Sequence, residues 1–532
     1  MRADLEFGSI SQLVRASAER HAEREAVVEG RTRLSFAGLG ARVADAAAAC
    51  LADGVRPGDR VAVWAPNTLD WITAALGAVT AGAVLVPLNT RFKGAEAVQV
   101  LARTGARTLF VTGTFLGTSY VAALRRAAGE DLRLLPRLRR VVVLGEEAAP
   151  EGFRTWKEFL ADGAGIPPAA VRERAGSIRP SDPSDILFTS GTTGEPKGAV
   201  VSHAQTLRAF GAWSELAGLR EGDRYLIVNP FFHTFGYKAG ILACLMRGAT
   251  MVPQPVFDAA TVLAHITAER ISVLPGPPTL FQSLLDHPAR PGHDLSSLRL
   301  VVTGAAAVPR TLIDRLRGEL GVPEVLTAYG MSEATGVITM CRRDDPPEVA
   351  ATTSGRALED TEVTVVDADG RWLPPGEPGE ILVRGYQVMS GYFEDPAATA
   401  EVLDDEGWLH TGDVGVLDVH GNLTVTDRIK DMLVVGGFNA YPAEIERLLC
   451  GHPGVAEAAV VGVPDARLGE VGRAFVVRSA EGAGLTEEQL IAWSRREMAN
   501  YKVPREIRFV AALPRNAAGK VRKGVLREVA AE

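Results

Sequence analysis

The chain has 532 residues, which is too long for one hydrophobic core, so it should fold into two or more domains. Hydrophobic residues make up 46% and charged residues 23%, the proportions of an ordinary globular protein. The net charge of −8 argues against nucleic acid or an anionic membrane as the partner, although it leaves room for a local basic site that binds phosphates.

Cysteine usage and the N-terminus favour a cytoplasmic protein. The four cysteines lie far apart and form no C-x-x-C pair, which disfavours disulfides and zinc and fits a reducing compartment. The first residues are partly acidic and lack the apolar run of a signal peptide. Residues 71–90 are uncharged and long enough to cross a bilayer, but Gly77, Gly82 and Pro87 interrupt them. We therefore expect a buried helix and a buried strand there, and no membrane span.

The N-terminal part alternates between helix and strand patterns. Helices are predicted at residues 9–22 and 35–54, and strands at 25–28, 59–64 and 109–111. This spacing predicts a doubly wound α/β unit with a mostly parallel sheet. Residues 120–180 are less regular and rich in Arg and Glu, so we expect a linker into a second unit there.

A polar loop with the sequence TSGTTGEPKG begins the second unit, between the apolar runs 186–188 and 199–201. Its glycines let backbone N–H groups turn inward, its hydroxyls add donors and its lysine adds a point charge, so it predicts a polyphosphate site. The residues expected to contact phosphate are Thr189, Ser190, Gly191, Thr192, Thr193, Gly194 and Lys197.

Two other interpretations of this loop are a surface turn and the P-loop, G-x-x-x-x-G-K-S/T. The density of hydroxyls and glycines disfavours a plain turn. The P-loop pattern fails because Lys197 follows Pro196, and Gly198 stands where a hydroxyl should bind Mg²⁺. The run 199–201 also favours a strand where a P-loop requires a helix.

Strand ends in the second unit carry polar or small residues. We predict a strand over 225–233 that places His233 at its end, where open α/β sheets bind ligands. Alone, a structural histidine would be the simpler interpretation, but the nearby loop favours a role in the site. Later strands end at Gly276 and at Thr303–Ala306, where small residues let a flat ligand approach the backbone.

Residues 326–334 allow two interpretations. One is the hydrolase elbow G-x-S-x-G, but the last glycine is missing and no Asp and His follow at an obvious spacing. In the other, Tyr329 offers a face for adenine, Ser332 a donor for phosphate, and Glu333 an oxygen ligand for Mg²⁺. We favour the second interpretation.

The remainder of the chain changes character. Residues 351–427 are short β-rich runs separated by Asp-Gly and Pro-Gly turns, which predict a small antiparallel barrel or distorted sheet. Residues 430–532 predict a separate small α/β domain, with a helix that Thr486 caps. Lys520 lies near the end in a loop that contains glycine, where a solvated lysine would be the ordinary interpretation.

Motifs spread along the chain resemble, in order, those of the adenylate-forming superfamily, which contains acyl-CoA synthetases, peptide-synthetase adenylation domains and firefly-type luciferases. They are T-S-G-T-T-G-x-P-K-G, Y-G-x-S-E, T-G-D, D-R-x-K-D and P-x-x-x-x-G-K. The resemblance implies an α/β fold with a large N-terminal domain, made of two doubly wound α/β subdomains and a small β-barrel, and a small mobile α+β C-terminal domain. The expected N-terminal domain is 1–429, with subdomains near 1–180, 181–350 and 351–429, and the expected C-terminal domain is 430–532.

The resemblance also implies roles for individual residues. As catalytic residues, Lys520 would bridge the carboxylate and the α-phosphate, His233 would lie between the acyl pocket and the CoA channel, and Glu333 would bind Mg²⁺ together with Thr193. The other nucleotide-binding residues would be Gly304, Ala305, Ala306, Thr327, Tyr329, Gly330, Ser332, Asp413 and Arg428. The hinge and CoA-channel residues would be Lys430, Gly436, Gly437 and Phe438.

The implied reaction has two steps. A carboxylate attacks the α-phosphate of MgATP to give an acyl-adenylate and pyrophosphate, and a thiol then attacks the activated carbonyl and releases AMP. The expected thiol is coenzyme A, and the alternative is the thiol of a carrier protein. The expected partners are therefore small molecules, bound by a monomer or homodimer.

The aromatic residues around His233 predict a hydrophobic acid, and the resemblance leaves a steroid-ring propionate and a fatty acid as the candidates. Residues 229–245 and 274–290 resemble actinobacterial ligases that attach CoA to a steroid-ring propionate. Lys238 departs from a plain fatty-acid pocket because an unpaired charge is costly beside apolar groups, so it would either point to solvent or hydrogen-bond a ring ketone. The expected acyl-pocket residues are His233, Phe235, Tyr237, Lys238, Gly276, Thr303 and Met331.

Overall fold

The structure is a computed structural model of the chain. It describes residues 2–531 except 190–195, 305–307, 309, 429–430, 432, 436–437, 441, 466–467, 499 and 517–519. At 427–428, 434, 438–439, 469 and 531 it describes the backbone alone.

The first of two large sheets has eight strands within the described residues, and its central pairs are parallel. In spatial order the strands are Gly391–Tyr392, Lys197–Ser202, Pro183–Thr189, Val84–Pro87, Arg60–Trp64, Thr108–Thr112, Arg140–Leu144 and Arg154–Thr155. Their helices are Phe36–Ala52, Leu69–Thr80, Gly94–Thr104, Tyr120–Ala128, Trp156–Asp162 and Pro168–Ser177. Strands such as Arg60–Trp64 are almost wholly apolar because helices cover both faces of a parallel sheet.

The second large sheet has nine strands in the part of the chain that the structure describes. In spatial order they are Arg356–Ala357, Thr339–Met340, Glu324–Tyr329, Leu300–Gly304, Val273–Gly276, Arg224–Ile227, Thr250–Pro253, Glu25–Glu29 and Thr32–Ser35. The helices and helical turns of this unit are Ala3–Phe7, Ile10–Arg20, His203–Leu216, Thr234–Gly236, Tyr237–Leu242, Ala243–Arg247, Ala259–Glu269, Pro278–Leu285, Arg310–Gly318, Ser332–Ala334 and Pro347–Thr352. Tyr237–Leu242 is a π-helix, a form often found at functional sites.

The two large sheets exchange strands across residue 180. Strand Glu25–Glu29 pairs with Thr250–Pro253 in the second sheet, whereas Pro183–Thr189 pairs with Val84–Pro87 in the first. The expected subdomain boundary at residue 180 therefore does not separate the sheets. The helices also pack closely, since a Cβ added at Gly77 would lie 2.4 Å from the Cβ of Ala46.

Two smaller sheets follow. An antiparallel four-stranded sheet contains Thr361–Val366, Gly379–Gly385, Leu409–Leu417 and Leu423–Arg428, in agreement with the predicted barrel-like unit. The last sheet contains Phe438–Ala440, Leu433–Val435, Gly469–Arg478, Val455–Asp465 and Glu506–Phe509, with helices Pro442–Leu449, Glu487–Glu497 and Lys523–Ala531. Thr486 caps the helix Glu487–Glu497 as predicted. The fold class predicted from the sequence, α/β with a barrel-like unit and a small α+β unit at the C-terminus, is confirmed.

Some local predictions are wrong. Residues 120–180 are not an irregular linker, because they contain strand Arg140–Leu144 and three of the helices named above. The strand expected over 225–233 ends at Ile227, so His233 lies in the connection beyond it. Residues 71–90 do form a buried helix and strand, as predicted. Among the helices of the described residues, none combines the length and apolar character needed to cross a bilayer.

Candidate active site

The predicted phosphate loop begins where strand Pro183–Thr189 ends. Thr189 donates a hydrogen bond from Oγ1 to Oε1 of Glu333 at 3.1 Å, and the phenol of Tyr392 donates to the same oxygen at 3.0 Å. Glu333 is buried in a short helical turn just after strand Glu324–Tyr329. Three separate elements thus meet at one carboxylate. The predicted residues Ser190, Gly191, Thr192, Thr193 and Gly194 lie outside the described residues.

The other end of the loop is fixed by charged groups. Lys197 Nζ lies 3.3 Å from Glu401 Oε2 and 5.3 Å from the ring centre of Tyr392. Arg103 donates to the carbonyl of Pro196 at 2.9 Å and pairs with Asp395 at 2.8 Å. Helix Gly94–Thr104, which carries Arg103, therefore anchors the end of the loop.

Two residues predicted to hold the nucleoside are in direct contact. The phenol of Tyr329 donates to Oδ2 of Asp413 at 2.7 Å, across the gap between the second large sheet and the four-stranded sheet. The backbone at the next residue, Gly330, lies very close to that of Gly336, since a Cβ at Gly330 would lie 2.2 Å from the Gly336 carbonyl oxygen. The pair therefore spans the expected place of the adenine and ribose.

The other residues predicted to bind the nucleotide differ in solvent exposure and in the contacts they make. Thr327 is buried and donates to the carbonyl of Thr353 at 2.7 Å, so its hydroxyl serves the fold. Gly304 ends its strand where a Cβ would lie 2.3 Å from the carbonyl oxygen of Ala328. Ser332 is half-buried in the turn that carries Glu333. Ala305 and Ala306 lie outside the described residues, and of Arg428 only the backbone is described.

His233 and Lys520 come together although they are far apart in sequence. His233 is half-buried, and its Nδ1 accepts a hydrogen bond from the N–H of Phe235 at 3.2 Å. Burial and the nearby charge of Lys520 lower the pKa of His233 to about 4, so the imidazole is neutral at neutral pH. Lys520 itself is exposed, and its N–H donates to Oδ1 of Asn516 at 2.9 Å. The charge of Lys520 therefore acts on His233, and the roles of both residues stay predictions.

Lys238 does not point to solvent, which corrects one of the two alternatives from the sequence. The side chains of Lys238 and Asp185 have no solvent exposure, and Nζ lies 2.9 Å from Oδ1 of Asp185. Nζ also donates to Oγ1 of Thr206 at 3.2 Å, and Ser184 donates to the other Asp185 oxygen at 2.6 Å. Burial lowers the pKa of Lys238, and the charge of Asp185 opposes that effect. The sequence missed this pair because Asp185 follows the largely polar residues 181–184 and lies 53 residues before Lys238.

The other predicted pocket residues lie on neighbouring elements. Gly276 and Thr303 are register partners in adjacent parallel strands. Thr303 is buried, and its hydroxyl has no hydrogen-bond partner among the described residues. Tyr237 is fully buried and packs edge-on against Trp71, whereas Phe235 and Met331 are half-buried.

The predicted hinge and CoA channel are mostly outside the described residues. This applies to Lys430, Gly436 and Gly437, while Phe438 is described only as the first backbone position of strand Phe438–Ala440. These assignments stay predictions.

The residues present fit a Mg²⁺ ion that arrives with ATP. No group of three or more His, Cys, Asp or Glu suited to a metal occurs in the described residues. Mg²⁺ usually takes one or two carboxylates and completes its shell with water and substrate phosphates. Glu333 supplies one carboxylate, and both described hydrogen bonds to it fall on Oε1, which leaves Oε2 for an ion.

Tyr392 is a site residue that the sequence reasoning missed. Burial raises the pKa of Tyr392 and the charge of Glu333 adds to this effect, so the phenol is a hydrogen-bond donor at neutral pH. A tyrosine between a glycine and a phenylalanine has no spacing that predicts a contact with a carboxylate 59 residues away.

Comparison with known proteins places the chain in a family. The model of the AMP-binding enzyme family matches residues 14–393, and that of the AMP-binding enzyme C-terminal domain matches residues 444–520. The chain belongs to the AMP-binding enzyme family.

Relatives that match nearly the whole chain include acid–CoA ligases within this family. A 7a-methyl-1,5-dioxo-octahydro-1H-inden-4-yl propanoyl:CoA ligase of Rhodococcus jostii is 52% identical over 97% of this chain and 98% of its own length. A ligase of the same name from Mycobacterium tuberculosis is 52% identical over 95% of this chain and 96% of its own length. Among solved structures, the anthranilate CoA ligase AuaEII with anthranoyl-AMP has a TM-score of 0.87 at 28% identity, covering 99% of this chain and 98% of that one.

Proposed function

We propose that this chain joins CoA to a propionate borne on a fused bicyclic ring that carries two ketones. The reaction class is that of its family and relatives: the chain is an AMP-forming acid–CoA ligase that uses ATP and Mg²⁺. The substrate assignment rests on one observation: the chain is 52% identical, over 97% of its length, to a ligase named for such an acid. A carrier-protein thiol as the acceptor is not favoured, since these relatives are named as CoA ligases.

The first step must bring two anions together, the carboxylate of the acid and the α-phosphate of ATP. Positive groups held in place beforehand lower the cost of this approach. We assign Lys520 to that role because it lies close enough to His233 for its charge to act on the imidazole. His233 stays neutral, so it does not compete with Lys520 for the carboxylate, and it can form one wall of the pocket.

The nucleotide would lie between the hydroxyl-rich loop and the Tyr329–Asp413 pair. Asp413 would accept hydrogen bonds from the ribose, and Tyr329 would hold it in orientation through the 2.7 Å contact. Lys197 would meet the phosphates at the other end of the loop. When bound, Mg²⁺ offsets phosphate charge, and the Glu333 carboxylate would hold it.

The second step is proposed to need movement of the C-terminal domain, residues 430–532, about a hinge at Lys430. Lys520 cannot occupy the pocket mouth while pantetheine enters there, so the lysine must withdraw between steps. Hinge residues need only absorb a change in φ and ψ. We place this chemistry in the cytoplasm, where ATP and CoA are available.

The acid pocket supports a substrate with a hydrogen-bond acceptor. Buried polar atoms are almost always hydrogen-bonded, so the buried hydroxyl of Thr303, which has no partner in the described residues, favours a ligand that provides one. Lys238 is not assigned to a ketone, because its ammonium already contacts Asp185 and Thr206.

Pyrophosphate release with a panel of acids tests the proposal. The panel contains the bicyclic diketone propionate, the same ring propionate without ketones, and a medium-chain fatty acid, each with and without CoA. We expect the diketone acid to give the highest kcat/KM, with AMP and the thioester formed only when CoA is present. A higher kcat/KM for the fatty acid would contradict the substrate assignment.

Thr303→Val, with Thr303→Ser as the matched control, locates the ketone contact. We expect Thr303→Val to lower kcat/KM for the diketone acid several-fold and to spare the acid without ketones, since a lost neutral hydrogen bond costs about 0.5–1.5 kcal/mol. Equal losses on both acids would assign Thr303 to packing.

A further inference from the structure

We propose that Tyr392 is a positioning residue that fixes the Glu333 carboxylate so that its second oxygen faces Mg²⁺. The inference rests on the proposed function, because it concerns the MgATP site of that reaction. Its geometric basis is the phenol of Tyr392, which donates to Oε1 of Glu333 at 3.0 Å while Thr189 donates to the same oxygen at 3.1 Å.

The backbone around Tyr392 is tied to the elements on both sides of the site. Tyr392 is the register partner of Ala199 in the strand that leaves the phosphate loop, and the N–H of Phe393 donates to the carbonyl of Gly198 at 2.8 Å. The N–H of Met389 donates to the backbone carbonyl of Glu333, also at 2.8 Å. The phenol and the carboxylate therefore both lie on backbone segments that are hydrogen-bonded to neighbouring elements.

The second oxygen of Glu333 is what remains for an ion. With two hydroxyls on Oε1 and no hydrogen bond to Oε2 from any described residue, the carboxylate cannot rotate without breaking both contacts. Groups that hydrogen-bond a metal-binding carboxylate fix its orientation, and their loss typically lowers metal affinity about 10- to 100-fold. Tyr392 fits this role better than a purely structural one because its hydroxyl donates its hydrogen bond to the buried carboxylate of Glu333.

The ring of Tyr392 makes a separate contact that a test must preserve. Lys197 Nζ lies 5.3 Å from the ring centre. Tyr392→Phe keeps the ring and this contact but removes the hydroxyl, so it isolates the hydrogen bond to Glu333. Tyr386→Phe is the matched control, since the ring of Tyr386 contacts Arg208 instead of Glu333.

The first readout is binding. ATP is titrated into the protein by calorimetry with Mg²⁺ and again with EDTA, for wild type, Tyr392→Phe and Tyr386→Phe. We expect Tyr392→Phe to weaken MgATP binding about tenfold or more while leaving metal-free ATP unchanged. Tyr386→Phe should match wild type in both titrations.

The second readout separates the half-reactions. In ATP–pyrophosphate exchange, the Mg²⁺ concentration for half-maximal rate should rise about tenfold or more in Tyr392→Phe. Thioester formation from supplied acyl-adenylate should stay at the wild-type rate, since that step uses no MgATP. In a Glu333→Gln background, Tyr392→Phe should have little further effect, because coupled residues are not additive.

Three results would overturn the inference. One is an unchanged Mg²⁺ dependence of both binding and exchange in Tyr392→Phe. Another is an equal loss of ATP binding with and without Mg²⁺, which would assign Tyr392 to the loop. The third is full additivity with Glu333→Gln. If wild type fails to activate the bicyclic acid, the proposed substrate is wrong, but the calorimetry still decides the role of Tyr392. Should Tyr392→Phe unfold, Thr189→Val removes the other hydroxyl and is measured in the same way.

Discussion

The two ends of the proposed active site, the predicted ATP end and the predicted acid end, are built from different kinds of contact. At the ATP end, hydroxyls of Thr189 and Tyr392 reach the Glu333 carboxylate from separate elements, beside half-buried residues of the phosphate loop. At the acid end, Lys238 and Asp185 form an ion pair with no solvent exposure, inside the packing of the π-helix.

This difference predicts different consequences of mutation. A group that loses its partner at the ATP end can still be satisfied by water or by the bound nucleotide, so the cost should appear in binding and rate. A charge that loses its partner in the interior has no water or ligand to replace that partner, so it destabilises the fold. We therefore expect the ATP end to control catalysis and the acid end to control stability.

The sharpest test of the acid end is Lys238→Met. It leaves Asp185 charged and unpaired in the interior, so we expect the free energy of unfolding to fall by about 3–5 kcal/mol. Denaturant unfolding measures this, with Lys157→Met on an exposed helix position as the control. The double variant Asp185→Leu/Lys238→Met should recover most of the loss. If the free energy of unfolding falls no more in Lys238→Met than in the control, the ion pair does not stabilise the fold.

The ATP-dependent step is tested by Lys520→Ala. We expect adenylation to slow about 10²–10³-fold, as for the loss of one preorganised donor, with unchanged unfolding free energy. Thioester formation from supplied acyl-adenylate should be spared. Gly437→Trp should do the reverse, because it would block the predicted CoA channel. Equal damage to both half-reactions by both variants would contradict the two-step assignment.

Acidification should destabilise the fold through His203, a buried histidine that the charge of Lys238 influences. Burial, with a contribution from Lys238, lowers the pKa of His203 from 6.5 to about 4, and its Nδ1 accepts a hydrogen bond from the N–H of Ile10 at 3.3 Å. The unfolded chain binds more protons between these two values, so stability should fall as pH drops from 6.5 towards 4, by on the order of 1–3 kcal/mol. His203→Gln should flatten this part of the profile measured by urea unfolding, and an unchanged slope would rule out His203 as its source.

The smallest expected effect is that of Arg103→Gln. It removes the charge that holds Pro196 and Asp395, which are only partly shielded from water, so we expect the KM for ATP to rise about two- to fivefold. The KM for the acid should not change, and Arg172→Gln, on an exposed surface, should match wild type. An effect on the acid alone would contradict the separation of the two ends.

The sequence offers more local signals for the predicted ATP end than for the predicted acid end, for a physical reason. Polyphosphate and Mg²⁺ require particular polar side chains in short local motifs, so Thr189, Tyr329 and Glu333 can be singled out, and the family resemblance adds Asp413. The structure places these four residues in two contacting pairs, and their roles stay predictions. The acid end depends on packing between distant segments. The partner of Lys238 is Asp185, which lies in a strand 53 residues earlier in the sequence, and no local pattern predicts such a pair.

Local patterns also failed where tertiary structure decides the outcome. The apolar run that includes Phe231 predicted a strand up to His233, but the strand ends at Ile227 and the next residues turn into the short helix that begins at Thr234. Residues 120–180 lack a regular sequence pattern because their helices are short. Tyr392 was missed because its contact partner is distant in sequence.

During synthesis, strand Glu25–Glu29 leaves the ribosome long before its neighbour Thr250–Pro253 exists. The first large sheet is completed even later, since its edge strand Gly391–Tyr392 is synthesised long after its neighbour Lys197–Ser202. Domains generally fold as units, so this sheet is complete only when its last strand is present. A chain cut short before Tyr392 therefore lacks one of the two hydroxyls that contact Oε1 of Glu333. Among the described strands of the two large sheets, Gly391–Tyr392 is thus the last to leave the ribosome, and the contact between Tyr392 and Glu333 forms only after it.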